Sequence, residues 1–213
     1  MLGKLITFEG GEGSGKSTQA KLLFEYLQKN NIPSILTREP GGTETAEKIR
    51  NILVTGKIEN IDKVSEILLH YAARNEHFKK KIWPALQEGK IVISDRFYDS
   101  TFAYQGYGYR IDLKLIRKVH DMIMGDFKPD QTFLFDIDVV KGLERSERRL
   151  QQQNSNETRY EGLPLDFHQR LRDGFLAIAK AEPERVTVIN AEDSIEKLHE
   201  KVVQALKTKG LIK

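Results

Sequence analysis

Leu5-Ile6-Thr7-Phe8-Glu9-Gly10-Gly11-Glu12-Gly13-Ser14-Gly15-Lys16-Ser17 joins a strand-like apolar run, a glycine-rich loop and the start of a helical pattern. Gly10 to Ser17 fits G-x-x-x-x-G-K-[ST] in full, and its flanks are the strand and helix that the motif requires. Glycines let successive N–H groups converge on phosphate oxygens without Cβ obstruction, and the helix N-terminus adds about half a positive charge. Gly10, Gly11, Glu12, Gly13, Ser14, Gly15, Lys16 and Ser17 are therefore read as a nucleoside-triphosphate cradle. Lys16 reaches the β- and γ-phosphates and the Ser17 hydroxyl is available to Mg²⁺.

Working outward, the helix carries Ala20, Leu23, Phe24 and Leu27 at helical spacing and is expected to end near Asn30-Asn31, ahead of Pro33. Ser34–Thr37, Ile91–Ile93, Gln131–Phe135 and Val186–Ile189 read as four further short strands. They alternate with helices, the signature of βαβ units, so the expected class is α/β with a parallel sheet covered on both faces. A long helical region between the second and third strands carries Val64, Ile67, Leu68, Tyr71 and Ala72 on one face, with Pro84 kinking it or starting a new segment. Helices are also expected over about 112–124 and 194–207. Gln151-Gln152-Gln153-Asn154-Ser155-Asn156 reads as a solvated mobile loop.

The chain has 213 residues, enough for one α/β domain with a core that needs no staple. Thirty-four Lys+Arg against 31 Asp+Glu leave +3, which argues against a dedicated nucleic-acid binder. The absence of cysteine removes disulfides, thiol nucleophiles and Cys-ligated zinc, and suits a reducing cytoplasm. No apolar run approaches the roughly 20 residues of a membrane span. Met1 to Lys4 lead straight into the first strand, so the expectation is a cytoplasmic protein without a signal peptide.

The phosphate loop alone does not separate kinases from GTPases or motors. Asn-Lys-x-Asp and Asp-x-x-Gly, which GTPases need, do not occur. Asp95 ends the run Ile91-Val92-Ile93-Ser94-Asp95 at the carboxyl edge of a strand, where it either supports the Mg²⁺ shell or caps a following helix. Arg96 follows it, and Arg38 closes the second strand on the same edge. With Arg74, these guanidiniums would repel one another unless an anion lay between them, and each fork fits a phosphate. An acceptor phosphate is the expected anion. His70 and Arg74 share a helix face and form either a base-reading pair or the edge of the core.

The segments Gly10–Ser17, Thr37-Arg38-Glu39-Pro40-Gly41-Gly42-Thr43, Tyr71-Ala72-Ala73-Arg74, Asp95-Arg96-Phe97-Tyr98-Asp99-Ser100 and Ala103-Tyr104-Gln105-Gly106 occur in the order found in thymidylate kinases, and the chain resembles that family throughout. The resemblance implies a P-loop NTPase-type three-layer sandwich over 1–213, with a five-stranded parallel sheet, a small mobile lid at about 145–162, and a homodimer. It implies transfer of the γ-phosphoryl of ATP to dTMP with Mg²⁺, a step toward dTTP. By motif position, Lys16, Arg96 and Asp95 would be catalytic, and Ser17 and Asp95 would serve the metal. Glu12 would lie on the 3′-hydroxyl side of the substrate, Arg38 and Arg96 would hold the acceptor phosphate, and Arg74 would meet thymine. Thr101, Tyr104 and Gln105 would complete the nucleoside pocket, with the tyrosine disfavouring a 2′-hydroxyl. His70 departs from the phenylalanine usual at its position. Gly13 stands where some members carry a basic residue, and the subgroup lacking that residue supplies arginines from the lid. Arg149 first and Arg148 second are the expected contributors, among Arg145, Arg148, Arg149 and Arg159.

Overall fold

The computed structural model describes residues 2–55, 61–153 and 159–212. Its centre is a five-stranded, wholly parallel sheet with strands β1 (Lys4–Glu9), β2 (Ser34–Arg38), β3 (Ile91–Asp95), β4 (Gln131–Asp136) and β5 (Val186–Asn190), in the order β2-β3-β1-β4-β5. All five expected strands are present, each extended by a residue or two. The α/β class and the sheet follow the sequence reading.

Alternate residues of each strand feed opposite faces, which creates the layers. Ile6 and Phe8 of β1, Ile93 of β3 and Phe133 and Phe135 of β4 pack with Leu23 and Leu27 of α1 (Lys16–Lys29) and with Leu198 and Val202 of α9 (Ile195–Thr208). Leu5 and Val92 point the other way, into a cluster with Ile67 and Tyr71 of α3 (Lys63–His77) and Ile116 of α6 (Leu113–Met124). Leu134 joins Phe167, Leu171 and Phe175 of α8 (Leu165–Ala181).

The helix after the phosphate loop stops at Lys29, with Asn30 as its cap, while α2 (Glu44–Val54) follows β2 and the short α5 (Tyr98–Thr101) follows β3. Asp112 and Ser194 cap α6 and α9 through side-chain bonds to backbone N–H groups. At Phe78–Ile82 α3 passes into a π-helical turn, and a fresh short helix α4 (Trp83–Gln87) begins with Pro84 in its first turn. The expected inner face of α3 is corrected. Ile67 and Tyr71 are buried, but Val64 and Leu68 are 42% and 50% exposed, and the inward positions are filled by Glu66, Arg74 and His77. Polar residues with partners replace an apolar stripe there, which hydrophobic periodicity cannot register.

The run Gln151–Gln153 is the end of helix α7 (Val139–Gln153), not a loop, and 154–158 lie outside the described residues. No helix among the described residues is long and apolar enough to cross a membrane. Parallel pairing puts Phe8 and Arg38 level with Asp95, so β1, β2 and β3 end on one rim. The site opens there.

Candidate active site

Gly10 (φ 142°), Gly13 (φ 64°) and Gly15 (φ 85°) hold backbone angles that suit glycine, and Gly15 is the N-cap of α1. Lys16 folds back over the loop and donates to the Gly11 carbonyl at 3.0 Å. Burial and the neighbouring Arg96 push its ammonium down to about 8, against the pull of Glu12 and Asp95. Among the described residues no carboxylate forms an ion pair with it.

Arg96 stands at the centre of the rim. Its φ of 69° lies in the left-handed region, and the turn is pinned from three sides: Arg96 N–H donates to the Phe8 carbonyl (2.9 Å), Ser94 Oγ donates to the Arg96 carbonyl (2.7 Å), and Phe97 N–H donates to Glu9 Oε1 (2.7 Å). The guanidinium then reaches the Gly10 carbonyl, Ser100 Oγ, Glu12 Oε1 and the Tyr104 hydroxyl at 2.8–3.1 Å. Burial alone would raise the Glu12 carboxyl, but the charges of Arg96 and Lys16 and the Tyr104 hydroxyl, which donates to it, hold it at about 2. Glu9 behaves oppositely. Burial and the nearby Asp99 push its carboxyl up to about 8, against Arg96.

A cavity of about 630 Å³ runs from Lys16 and Ser17 past Arg96 to a pocket walled by His70, Arg74, Thr101 and Gln105. The arginines are corrected in one respect: none depends on a bound anion to tolerate the others. Arg38 pairs with Glu47 (3.0 Å), Arg74 with Glu39 (2.8 Å) and Arg96 with Glu12 (3.1 Å). They differ in how easily that partner is given up. The Arg38 side chain is 52% exposed and its pair is the weak surface kind, whereas Arg74 is buried and also donates to the Phe97 carbonyl and Thr101 Oγ1.

Among the described residues, the buried Arg74 Nη1 and Gln105 Oε1 have no hydrogen-bond partner, one a donor and one an acceptor on residues of the same wall. At the other end, Asp95 Oδ1 is likewise buried and has no partner among the described residues; Asp95 ends β3 and caps no helix. Among the described residues no cluster of three or more His, Asp or Glu could cage an ion. The lone Asp95 carboxylate oxygen fits Mg²⁺, which usually arrives with its own waters and phosphate oxygens and needs few protein ligands.

The sequence pattern of the thymidylate kinases matches residues 8–202. A curated thymidylate kinase of Marinomonas sp. (strain MWYL1) is 42% identical over 206 residues, covering 97% of this chain and 95% of that one. One of Wolbachia pipientis wMel is 50% identical over 188 residues, covering 86% and 89%. The chain belongs to the thymidylate kinase family. The crystal structure of thymidylate kinase from Ehrlichia chaffeensis superposes with a TM-score of 0.76 at 41% identity, covering 97% and 99% of the two chains.

Within that family, the glycine at position 13 has a packing reason here. A Cβ at Gly13 would run into the Gly142 carbonyl, and one at Gly142 would lie 2.6 Å from the Glu12 carbonyl. Helix α7 rests directly on the phosphate loop, so a side chain at 13 and this seat of α7 exclude each other. The seat carries Arg145 and Arg149 to the cavity. Arg149 donates to Ser146 Oγ (3.2 Å), lies 3.7 Å from Glu161, and its charge bears on both Glu12 and Lys16. Arg148 is not brought to the cavity; its side chain is 75% exposed and its nearest partner is Glu144 at 3.9 Å, because it lies one helical step from Arg149. Gly142→Ala is expected to lift α7 and lower kcat about tenfold or more with the circular dichroism unchanged; a kcat within twofold of wild type would contradict the seat.

His70 is half-buried in the pocket wall. Burial, then the charges of Arg74, Arg159 and Arg96, hold its imidazole at about 3, so the ring is neutral where the protein is folded. The unfolded chain takes up that proton near the ordinary 6.5, so His70 makes the fold lose stability as pH falls from about 6.5 toward 3. His70→Phe should flatten that part of a denaturation-against-pH profile. It should also tighten dTMP several-fold in calorimetry, since an apolar aromatic face would stack on a base better than the polar imidazole, and weaker or equal affinity would contradict a stacking contact at this position. The sequence reading missed Glu9, Glu39, Glu66, Tyr160 and Glu161. They are carboxylates and a phenol without a motif of their own, identifiable only from the cations they meet.

Proposed function

We propose that the chain transfers the γ-phosphoryl group of MgATP to dTMP, giving ADP and dTDP, the reaction for which its family is named. The observation that carries the substrate assignment is the buried donor–acceptor pair of Arg74 Nη1 and Gln105 Oε1, in the same cavity as the phosphate loop. A thymine edge offers C4=O to the donor and N3–H to the acceptor; cytosine offers the reverse.

In this reading the loop N–H groups and Lys16 take the β- and γ-phosphates. Arg38 leaves its exposed partner for the acceptor phosphate, and Arg96 lies between that phosphate and the transferred group. Glu12 and Tyr104 fix the Arg96 fork and wall the sugar, with Glu12 toward the 3′-hydroxyl and the Tyr104 ring against a 2′-hydroxyl. Thr101 holds Arg74. Ser17 and Asp95 would hold Mg²⁺ and its waters, and the ion would supply positive charge against the phosphates. No strong general base is required, since the attacking phosphate oxygen is already anionic. The protein contributes alignment and positive charge. Arg149, with Arg145 beside it, adds charge from α7, and a lid at about 145–162 of this one kinase domain closes to keep water out.

Because Lys16 titrates near 8, kcat/KM for ATP should fall above that pH as the ammonium is lost, and Lys16→Arg should remove this basic limb. A homodimer and a cytoplasmic location complete the proposal. Exposed Val64 and Leu68, one turn apart on α3, are available for burial between copies. The reaction is tested by ADP release from the purified chain with MgATP and a panel of dTMP, dUMP, dCMP and AMP. Turnover that depends on dTMP supports it, and ATP turnover indifferent to any monophosphate would point to an acceptor-free ATPase instead.

A further inference from the structure

Glu66 lies on the inner face of α3, fully buried, behind the pocket wall and outside the cavity lining. Its carboxylate gathers donors from two distant segments: Gln105 Nε2 at 2.8 Å, the Tyr160 hydroxyl at 3.0 Å, and Arg159 Nη2 at 2.6 Å. Arg159 also donates from Nη1 to the Leu53 carbonyl at 3.0 Å, so the arginine is anchored and the carboxylate cannot swing away.

The consequence falls on Gln105. A carboxylate only accepts, so the amide must present its NH₂ to Glu66 and its carbonyl oxygen elsewhere. That oxygen is the buried, unpartnered Oε1 of the pocket wall. Were the amide reversed, two acceptors would face each other inside the protein and a donor would face the base. Tyr160 reinforces the arrangement, since its proton goes to Glu66 Oε1 while its oxygen stands 3.5 Å from both Gln105 Nε2 and His70 Nε2.

We propose that Glu66 is a positioning residue that sets the hydrogen-bond polarity of the base pocket, fixing Gln105 as an acceptor and so selecting a base with N–H at that edge. This deepens the dTMP reading and rests on it. A site built to accept such a hydrogen rejects a base that offers a lone pair there, because two buried acceptors are left opposed. With Glu66→Gln the facing group can both donate and accept, and Gln105 loses its fixed orientation.

The test is calorimetric binding of dTMP and dCMP to the full chain, with kcat/KM for both. In Glu66→Gln the preference for dTMP over dCMP should fall tenfold or more, through a rise in the KM for dTMP, while the KM for ATP and kcat at saturating dTMP stay within about threefold. A uniform loss with both monophosphates, or an unchanged ratio, would overturn the assignment. Removing one member of a buried ion pair is costly. If the single variant does not fold, Glu66→Gln with Arg159→Gln removes both members of that ion pair and is read by the same ratio. Wild-type protein without a dTMP preference would overturn the function reading itself, and this inference with it. A normal wild type with an unmoved ratio in the variant would overturn this inference alone.

Discussion

Arg96→Ala should lower dTMP-dependent ADP formation by about 10³-fold, the scale on which an arginine stabilises a transferring phosphoryl group. The substitution removes a fork that touches Gly10, Ser100, Glu12 and Tyr104 together, so no neighbour can take over its place. The fold should survive, because the turn is held by backbone bonds to Phe8 and Glu9 that do not use the side chain. Alanine keeps a Cβ at φ 69°, so the backbone carries the same left-handed strain as in the wild type and the circular dichroism spectrum should not change. Arg96→Lys keeps the charge but not the fork and should remain far below wild type. Turnover within tenfold of wild type in Arg96→Ala would remove Arg96 from the centre of the reaction.

Lys16→Ala should reduce kcat by about 10²–10³-fold, yet leave Tm at or above the wild-type value. The two effects have one cause. Lys16 is a buried cation pressed by Arg96, with a single carbonyl as hydrogen-bond partner, and its lowered pKa means that the folded protein bears its charge at some cost. Phosphate repays that cost on binding, so the residue serves the reaction at the expense of the resting fold. A kcat within twofold of wild type would reject the role. A large fall in Tm would show that Lys16 is instead a structural element of the loop.

Much of this was legible in the sequence because its signals are local. Ile6 and Phe8 with the following glycines state a strand and a loop in adjacent positions, and Asp112, Ser194 and Pro84 mark helix boundaries by chemistry that acts within one turn. The site arginines were recoverable because strand ends place Arg38 and Asp95-Arg96 on one rim. The carboxylates were harder to foresee. Glu39, Glu47 and Glu66 meet their cations across 35, 9 and 93 residues, and no spacing rule reaches most of that distance. For the same reason the face of α3 was misjudged: Glu66, Arg74 and His77 are buried as satisfied partners, while Val64 and Leu68 remain outside. Arg148 and Arg149 are equivalent on charge alone, and only the seating of Gly142 on Gly13 decides which one faces the cavity.

A crystal structure of the chain with dTMP and a non-hydrolysable MgATP analogue tests the arrangement most directly. Arg38 is expected to have left Glu47 for the dTMP phosphate, Arg96 to lie between that phosphate and the γ-phosphate, and Arg74 to remain on Glu39 while its Nη1 meets the base. Both nucleotides bound with Arg38 still on Glu47 and the Arg96 fork turned away from either phosphate would contradict it.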